Sequence, residues 1–213
     1  MTTTEMRRHV GTSGDHVTML LHPAWLVRLI HRPGRWARRV LKPGAAVVLD
    51  VETTDFDGAI IELAVIDAAT GSVLLETLVD PGNVAISEAA YAVHRITSAE
   101  LEGAPRWPEV YDDLSAVVAT RRILAYNAEF DYGRIMFECK RYGTSAGPAF
   151  ARSRWDCVMI RRSQSEGVRH LFRLGGNHRA RGDAKAALDV VRAIAQGCPT
   201  VSRPLEQAGV GGE

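Results

Sequence analysis

A chain of 213 residues with 46% apolar and 24% charged content lies within ordinary globular usage and suits one domain with modest extensions. Its formal net charge of +1 is unevenly spread, because eight Arg or Lys stand against Glu5 and Asp15 before Ala45, leaving the remainder at −5. That acidic body excludes polyanion binding through overall charge, so nucleic acid would have to be approached through a local groove or bound metal.

The first 16 residues are polar and without an apolar stripe, which predicts disorder. Val17 to Ile30 is the most apolar early stretch. It is interrupted by His22, Pro23 and Arg28 and is shorter than the roughly 20 residues that cross a bilayer, so no membrane partner is expected. No small-residue cleavage site follows it, and Cys139, Cys157 and Cys198 show neither a disulfide framework nor zinc spacing. A cytoplasmic protein with reduced thiols is expected.

From His22 to Leu41, apolar residues alternate with Arg28, Arg32, Arg35, Arg38 and Arg39. The pattern predicts one or two short basic amphipathic helices broken near Pro33 and Gly34. Two readings stand: a helical extension packed on the domain with solvated arginines, or a contact with nucleic acid or a membrane surface. Residues 1–44 are thus a basic extension, 45–197 the main domain and 198–213 a flexible tail.

Ala45 to Val51 is a Val-rich run typical of a strand buried on both faces. Ile60 to Asp67 and Ser72 to Val79 are strand-like runs joined by a short Gly-containing turn, predicting a hairpin. Trp107, Val110, Tyr111, Leu114, Val117 and Val118 recur at helical spacing. A strand at Ile123 to Tyr126, a helix around Phe130 to Cys139, a short strand at Arg154 to Cys157 and a helix from Asp183 to Ala195 complete the order. Three strands followed by alternating helix and strand indicate an α/β sandwich with a mixed sheet.

Three segments carry chemistry. Asp50 and Glu52 are spaced by two at the end of an apolar strand, so alternation points both to one side. Close like charges invite a divalent cation, although a solvated strand end has the same pattern. In Asn127-Ala128-Glu129-Phe130-Asp131 a strand gives way to a helix with Asp131 in its first turn, where the dipole favours a carboxylate. The alternative makes Asp131 a helix-start residue and Asn127 an N-cap. His178 stands five residues before Asp183, across a Gly-containing loop, and could take a proton from water near neutral pH. The alternative is a surface histidine among arginines.

In this order, these segments resemble the DEDD superfamily of 3′→5′ exonucleases over roughly Ala45 to Gln196. The resemblance is to its histidine branch, which includes the polymerase III proofreading subunit, ribonuclease T and oligoribonuclease. Asp50, Glu52 and Thr53 match the first motif, Asn127, Phe130 and Asp131 the second, and His178 with Asp183 the third. Tyr91 to Thr97 and Gly103-Ala104-Pro105 look like the segment between motifs. Asp55, Tyr126 and Arg95 depart from the usual Gly, His and Gly, and Glu166 to Gly176 is short and Arg-rich where a leucine-patterned helix is usual.

The resemblance implies a ribonuclease H-like three-layer sandwich, a mixed sheet with flanking helices. It also implies two Mg²⁺ or Mn²⁺ ions held by Asp50, Glu52, Asp131 and Asp183, separated by about 3.5–4 Å as in two-metal sites. His178 would act as general base, and Thr53, Phe56 and Asn127 would bind the terminal nucleotide. The alternative for Phe56 is a core residue, and His94 and His170 are taken as structural. The expected partner is a nucleic acid with a free 3′ end, DNA ahead of RNA, with a polymerase or repair protein as a further implication. The product would be a nucleoside 5′-monophosphate. The competing functions are an exoribonuclease and an inactive nucleic-acid-binding scaffold.

Overall fold

The structure is a computed structural model and describes residues 33–198. A helix over residues 33–40 (α1) leads into β1 (Ala46–Thr53), β2 (Ile60–Asp67) and β3 (Val73–Leu78). Helices α2 (Glu88–His94) and α3 (Trp107–Val118) follow, then β4 (Arg122–Ala125), α4 (Ala128–Arg141), β5 (Trp155–Cys157), α5 (Val158–Glu166) and α6 (Ala180–Gln196). The strands form one sheet in the order β3-β2-β1-β4-β5. Strands β1 to β3 pair antiparallel, whereas β1-β4 and β4-β5 are parallel, so the sheet is mixed as the sequence predicts.

Alternation along β1 divides the core. Val47, Leu49 and Val51 join a buried cluster with Trp107, Val110 and Leu114 of α3 and Ile135 of α4. Ala46 and Val48 join Leu188, Val191 and Ile194 of α6, Val158 of α5, and Ala37 and Val40 of α1. Helices therefore cover both faces, giving three layers. Asp50 and Glu52 continue the parity of Ala46 and Val48, which places them on the face that α6 covers.

Pro33 and Gly34 open the described part of α1, and the stretch before them, on which the expected break depends, lies outside the described residues. Trp36 Nε1 donates to Asp156 Oδ2 at 3.1 Å, and Arg38 Nη1 donates to the Ala195 carbonyl at 2.9 Å. The expectations for residues 1–32 and for the tail after Cys198 lie outside the described residues. Among the described residues no helix is long and apolar enough to cross a membrane, and all three cysteines are free.

Two helices, α2 and α5, were not expected. Helix α2 has seven residues and buries only His94, so it has no apolar stripe to show. Helix α5 buries Val158, Arg162 and Ser163; two polar residues on the inner side erase the usual pattern.

Candidate active site

The chain runs from β1 outward to β2 and β3, then returns to the other side of β1 as β4. A crevice beyond the carboxyl ends of strands forms where the order reverses. The ends of β1 and β4 meet at this place, and the chemistry-bearing residues collect there.

Asp50 and Glu52 reach it from β1, and Asp183 from the first turn of α6. Ligand oxygens of these three carboxylates lie within 4.8 Å of one another. Asp131 comes from the first turn of α4 and is buried. The backbone amides of Val51 and of Asp131 itself favour its ionised form, so the start of α4 stands beside the strand carrying the first pair. The sequence-predicted acids thus stand together, though Asp131 is not one of the three within mutual reach of a single ion.

The segment before α6 folds onto Asp183. The backbone N–H of His178 donates to Asp183 Oδ1 at 3.1 Å, and His178 Nδ1 lies 4.0 Å from Asp183 Oδ2. His178 adopts a left-handed φ of 56°, uncommon for a non-glycine residue, and its side chain remains 56% exposed. The imidazole therefore stands beside the acids while open to water.

Close approach explains two glycines. A Cβ at Gly176 would lie 1.9 Å from Asp183 Oδ1, and one at Gly182 would lie 1.9 Å from Asn177 Oδ1. Only hydrogen fits between backbone and side chain at these positions.

The electrostatics are those of acids crowded out of water. Burial pushes Asp50 well above the usual carboxylate range, and the charges of Asp131, Glu52 and Asp183 add to the effect. Glu52 is raised to about 8 by burial first and then by Asp183 and Glu62. Asp131 is raised to about 8 by burial, against hydrogen bonds that favour its ionised form. Burial also raises Asp183, opposed by the His178 backbone bond and the His178 charge. Such a group holds protons where isolated carboxylates would not, and a hard divalent cation can take their place. The all-oxygen donor set fits Mg²⁺ or Mn²⁺.

The acids and His178 line a cleft of about 740 Å³ with Phe56, Asn127, Phe130 and Leu171 to Leu174. Phe56 is 80% exposed with its ring 5.6 Å from that of Phe130, so the core alternative for Phe56 is excluded. Asn127 is the N-cap residue of α4 but makes no side-chain cap bond. Thr53 is buried, and its hydroxyl donates to the Asp55 carbonyl at 2.7 Å, holding the turn that presents Phe56. His94 is buried, and its Nδ1 accepts from the Ile96 N–H at 3.0 Å.

Residues 167–177 are irregular, in keeping with the atypical Arg-rich sequence. Tyr126 Oη donates to the Phe172 carbonyl at 2.7 Å, Ser163 Oγ to the His170 carbonyl at 2.7 Å and Arg162 Nη1 to the Arg173 carbonyl at 3.2 Å. The segment is thus held across the cleft by its own backbone. His170 joins it through this carbonyl and a ring contact with Phe172 at 4.3 Å.

Glu62 and Arg179 were not singled out from sequence. Glu62 interrupts the otherwise apolar Ile60-Ile61-Glu62-Leu63-Ala64-Val65-Ile66, and a charge in a fully buried strand is the signal that could have found it.

The exonuclease family model of the RNase T type matches residues 47–191. The uncharacterized exonuclease CP81 of Escherichia phage 186 is 28% identical over 173 residues, spanning 71% of this chain and 88% of that one. The nuclease domain of 3′hExo, a DEDDh family member solved bound to rAMP, aligns with a TM-score of 0.52 at 16% identity, over 72% of this chain and 93% of that one. Exonuclease X, solved in complex with 5′ overhanging duplex DNA, aligns at 23% identity over 71% of this chain and 93% of that one, with a TM-score of 0.47. The sheet order and flanking helices are those of the ribonuclease H-like fold. With the family model spanning both core layers and the acid-bearing segments, the chain belongs to this exonuclease family of the DEDD superfamily.

Proposed function

We propose that the protein is a divalent-metal-dependent 3′→5′ exonuclease of the histidine branch, removing nucleoside 5′-monophosphates from a nucleic-acid 3′ end, with DNA ahead of RNA. One observation carries the reading: three carboxylates from β1 and α6 converge within 4.8 Å, with His178 4.0 Å from one of them. Asp50, Glu52, Asp131 and Asp183 would hold the cations. Bound Mg²⁺ or Mn²⁺ supplies positive charge against the phosphate and acidifies water.

The chain's own residues perform the remaining tasks. His178, exposed at the cleft, accepts the proton of the attacking water. The water oxygen forms a bond to phosphorus, the P–O3′ bond breaks, and the departing 3′ oxygen ends protonated. The Phe56 and Phe130 rings offer apolar faces to the terminal base, a contact that tolerates any base. Asn127, uncommitted as a cap, faces the same cleft.

Strand polarity tests this reading. With Mg²⁺, a 5′-labelled single strand should shorten through a ladder of products, whereas a 3′-labelled strand should lose its label as a mononucleotide at once. Release of mononucleotide from the 5′ end would contradict the direction. Parallel DNA and RNA strands test the sugar: faster degradation of RNA would reverse the expected order.

A further inference from the structure

Glu62 lies near the start of β2, directly opposite Glu52 of β1 in the antiparallel register. Directly opposed residues share a face of the sheet, and like charges there are destabilising. A further carboxylate beside the acidic cluster therefore needs a compensating partner.

Arg179 supplies it. Its Nε lies 3.0 and 3.1 Å from the two Glu62 oxygens, and its Nη2 lies 2.6 Å from Oε1. The backbone N–H of Ala180 donates to Oε2 at 2.8 Å. Arg179 is the N-cap residue of α6 but makes no side-chain cap bond within the helix. Glu62 instead satisfies one of the helix's orphan donors from the neighbouring strand.

The geometry has consequences on both sides of this anchor. His178 immediately precedes Arg179, and Asp183 lies in the first turn that follows. The His178 N–H bond to Asp183 closes the loop between them. Charge also passes through the pair: Glu62 acts on Asp50, Glu52 and Asp183, while Arg179 acts on Glu52 in the opposite sense.

We propose that the Glu62–Arg179 pair is a positioning device for the active site: it sets where Asp183 and His178 stand and keeps a fifth carboxylate away from the cations. The proposal rests on the metal-dependent nuclease reading above. Glu62 is spent on three donors, so it is no ligand; its role is exerted through Arg179 and the start of α6.

A pair that only stabilises the fold would weaken metal binding whichever partner is removed. A positioning and charge-compensating pair gives opposite responses. The test titrates Mn²⁺ into the full-length protein, following free-ion EPR, and measures kcat and KM on a short oligonucleotide for wild type, Arg179→Met, Glu62→Gln, the double variant and Arg179→Lys. Arg179→Met frees the Glu62 charge and should tighten Mn²⁺ by about fivefold, whereas Glu62→Gln leaves an unmatched cation and should weaken it by about fivefold. Both should lower kcat by about 10²-fold with KM unchanged within about threefold, as expected for displaced catalytic groups. The double variant should return Mn²⁺ affinity to within about threefold of wild type while kcat stays low. Arg179→Lys should also restore affinity but not kcat, because an ammonium lacks the two-pronged fork.

Mn²⁺ affinity moving in the same direction in both single variants, or kcat near wild type in either, overturns the proposal. Should Arg179→Met be insoluble, Glu62→Gln against Arg179→Lys still decides: equal affinities overturn it. Wild-type protein that binds no Mn²⁺ would instead overturn the nuclease reading on which the proposal rests.

Discussion

At the scale of single residues, the acidic cluster costs the fold stability. Burial raises Asp50 and Asp131, with the charge of Asp131 adding to the first and that of Asp183 to the second, and Glu52 is raised to about 8 from an ordinary 4.5. The native state therefore keeps protons that the unfolded chain releases near 4.5. Because the folded form binds more protons across this window, metal-free stability falls as pH rises from about 4.5 to about 8. Well below 3.8, the ordinary value of the aspartates, the clustered acids are protonated in both states and the loss disappears. Asp50→Asn removes one of the crowded charges. It should raise the metal-free unfolding temperature at pH 8, raise it much less at pH 4.5, and reduce turnover by about 10³-fold or more through loss of a ligand. Thermal unfolding in chelator at both pH values, with turnover in Mg²⁺, checks it; lower stability at pH 8 would contradict the crowding argument.

Asp50, Glu52, Asp131, His178 and Asp183 were readable in the sequence because each motif sits at a junction that local patterning marks: a strand end, a helix start, a glycine-containing loop. Glu62 and Arg179 were not, because they are 117 residues apart. Neither has meaning until the sheet pairs Glu62 with Glu52 and α6 packs across it.

At the scale of elements, α6 is the arm that completes the site. Ala184, Ala187, Leu188, Val191 and Ile194 are buried along one side; the sequence stripe shares the first four but closes on Ala195, which is only half-buried, where Ile194 takes the inner place. The helix begins at Ala180, three residues before the expected Asp183, because the preceding strand cap comes from Glu62 and leaves no local signal. The loop into it depends on Gly176. Gly176→Ala places a methyl against Asp183 Oδ1, where only 1.9 Å is available, and so must move the carboxylate or the loop. Turnover should fall by about 10²-fold, the scale of a displacement near 1 Å, while Leu188 and its neighbours keep the helix folded. Normal turnover in Gly176→Ala would show that Asp183 tolerates another position.

The helices α2 and α5 escaped notice for physical reasons rather than for want of helix formers. Helix α2 ends on Arg95 in a left-handed conformation with φ of 63°, a place where glycine would have announced the stop. Helix α5 turns Arg162 inward to reach Tyr126 Oη at 3.1 Å, so its buried side carries a charge that sequence patterning assigns to solvent.

At the scale of the whole molecule, the mixed sheet explains why the site is where it is. Only β1 has an antiparallel neighbour on one side and a parallel one on the other, so its carboxyl end faces the start of α4 and, across the face, the start of α6. Continuous apolar runs made the strands visible, but the order β3-β2-β1-β4-β5 became secure only from pairing. The basic extension, read from sequence either as packed on the domain or as contacting nucleic acid or a membrane surface, is packed in its described part: α1 lays Ala37 and Val40 into the α6 cluster and hands Trp36 and Arg38 to polar partners on the domain. The arginines before residue 33 lie outside the described residues.

The central claim is that the converging carboxylates, once loaded with divalent cations, and His178 together hydrolyse phosphodiester bonds at a chain end. Mass spectrometry of the products from a short single-stranded DNA, with Mg²⁺ and with chelator, for wild type and His178→Ala, tests it most directly. The account predicts nucleoside 5′-monophosphates from wild type with Mg²⁺ and none in chelator, with His178→Ala slower by about 10²–10⁴-fold, the usual worth of a positioned general base. Mononucleotide release that persists undiminished in chelator, or a His178→Ala rate equal to wild type, would contradict it.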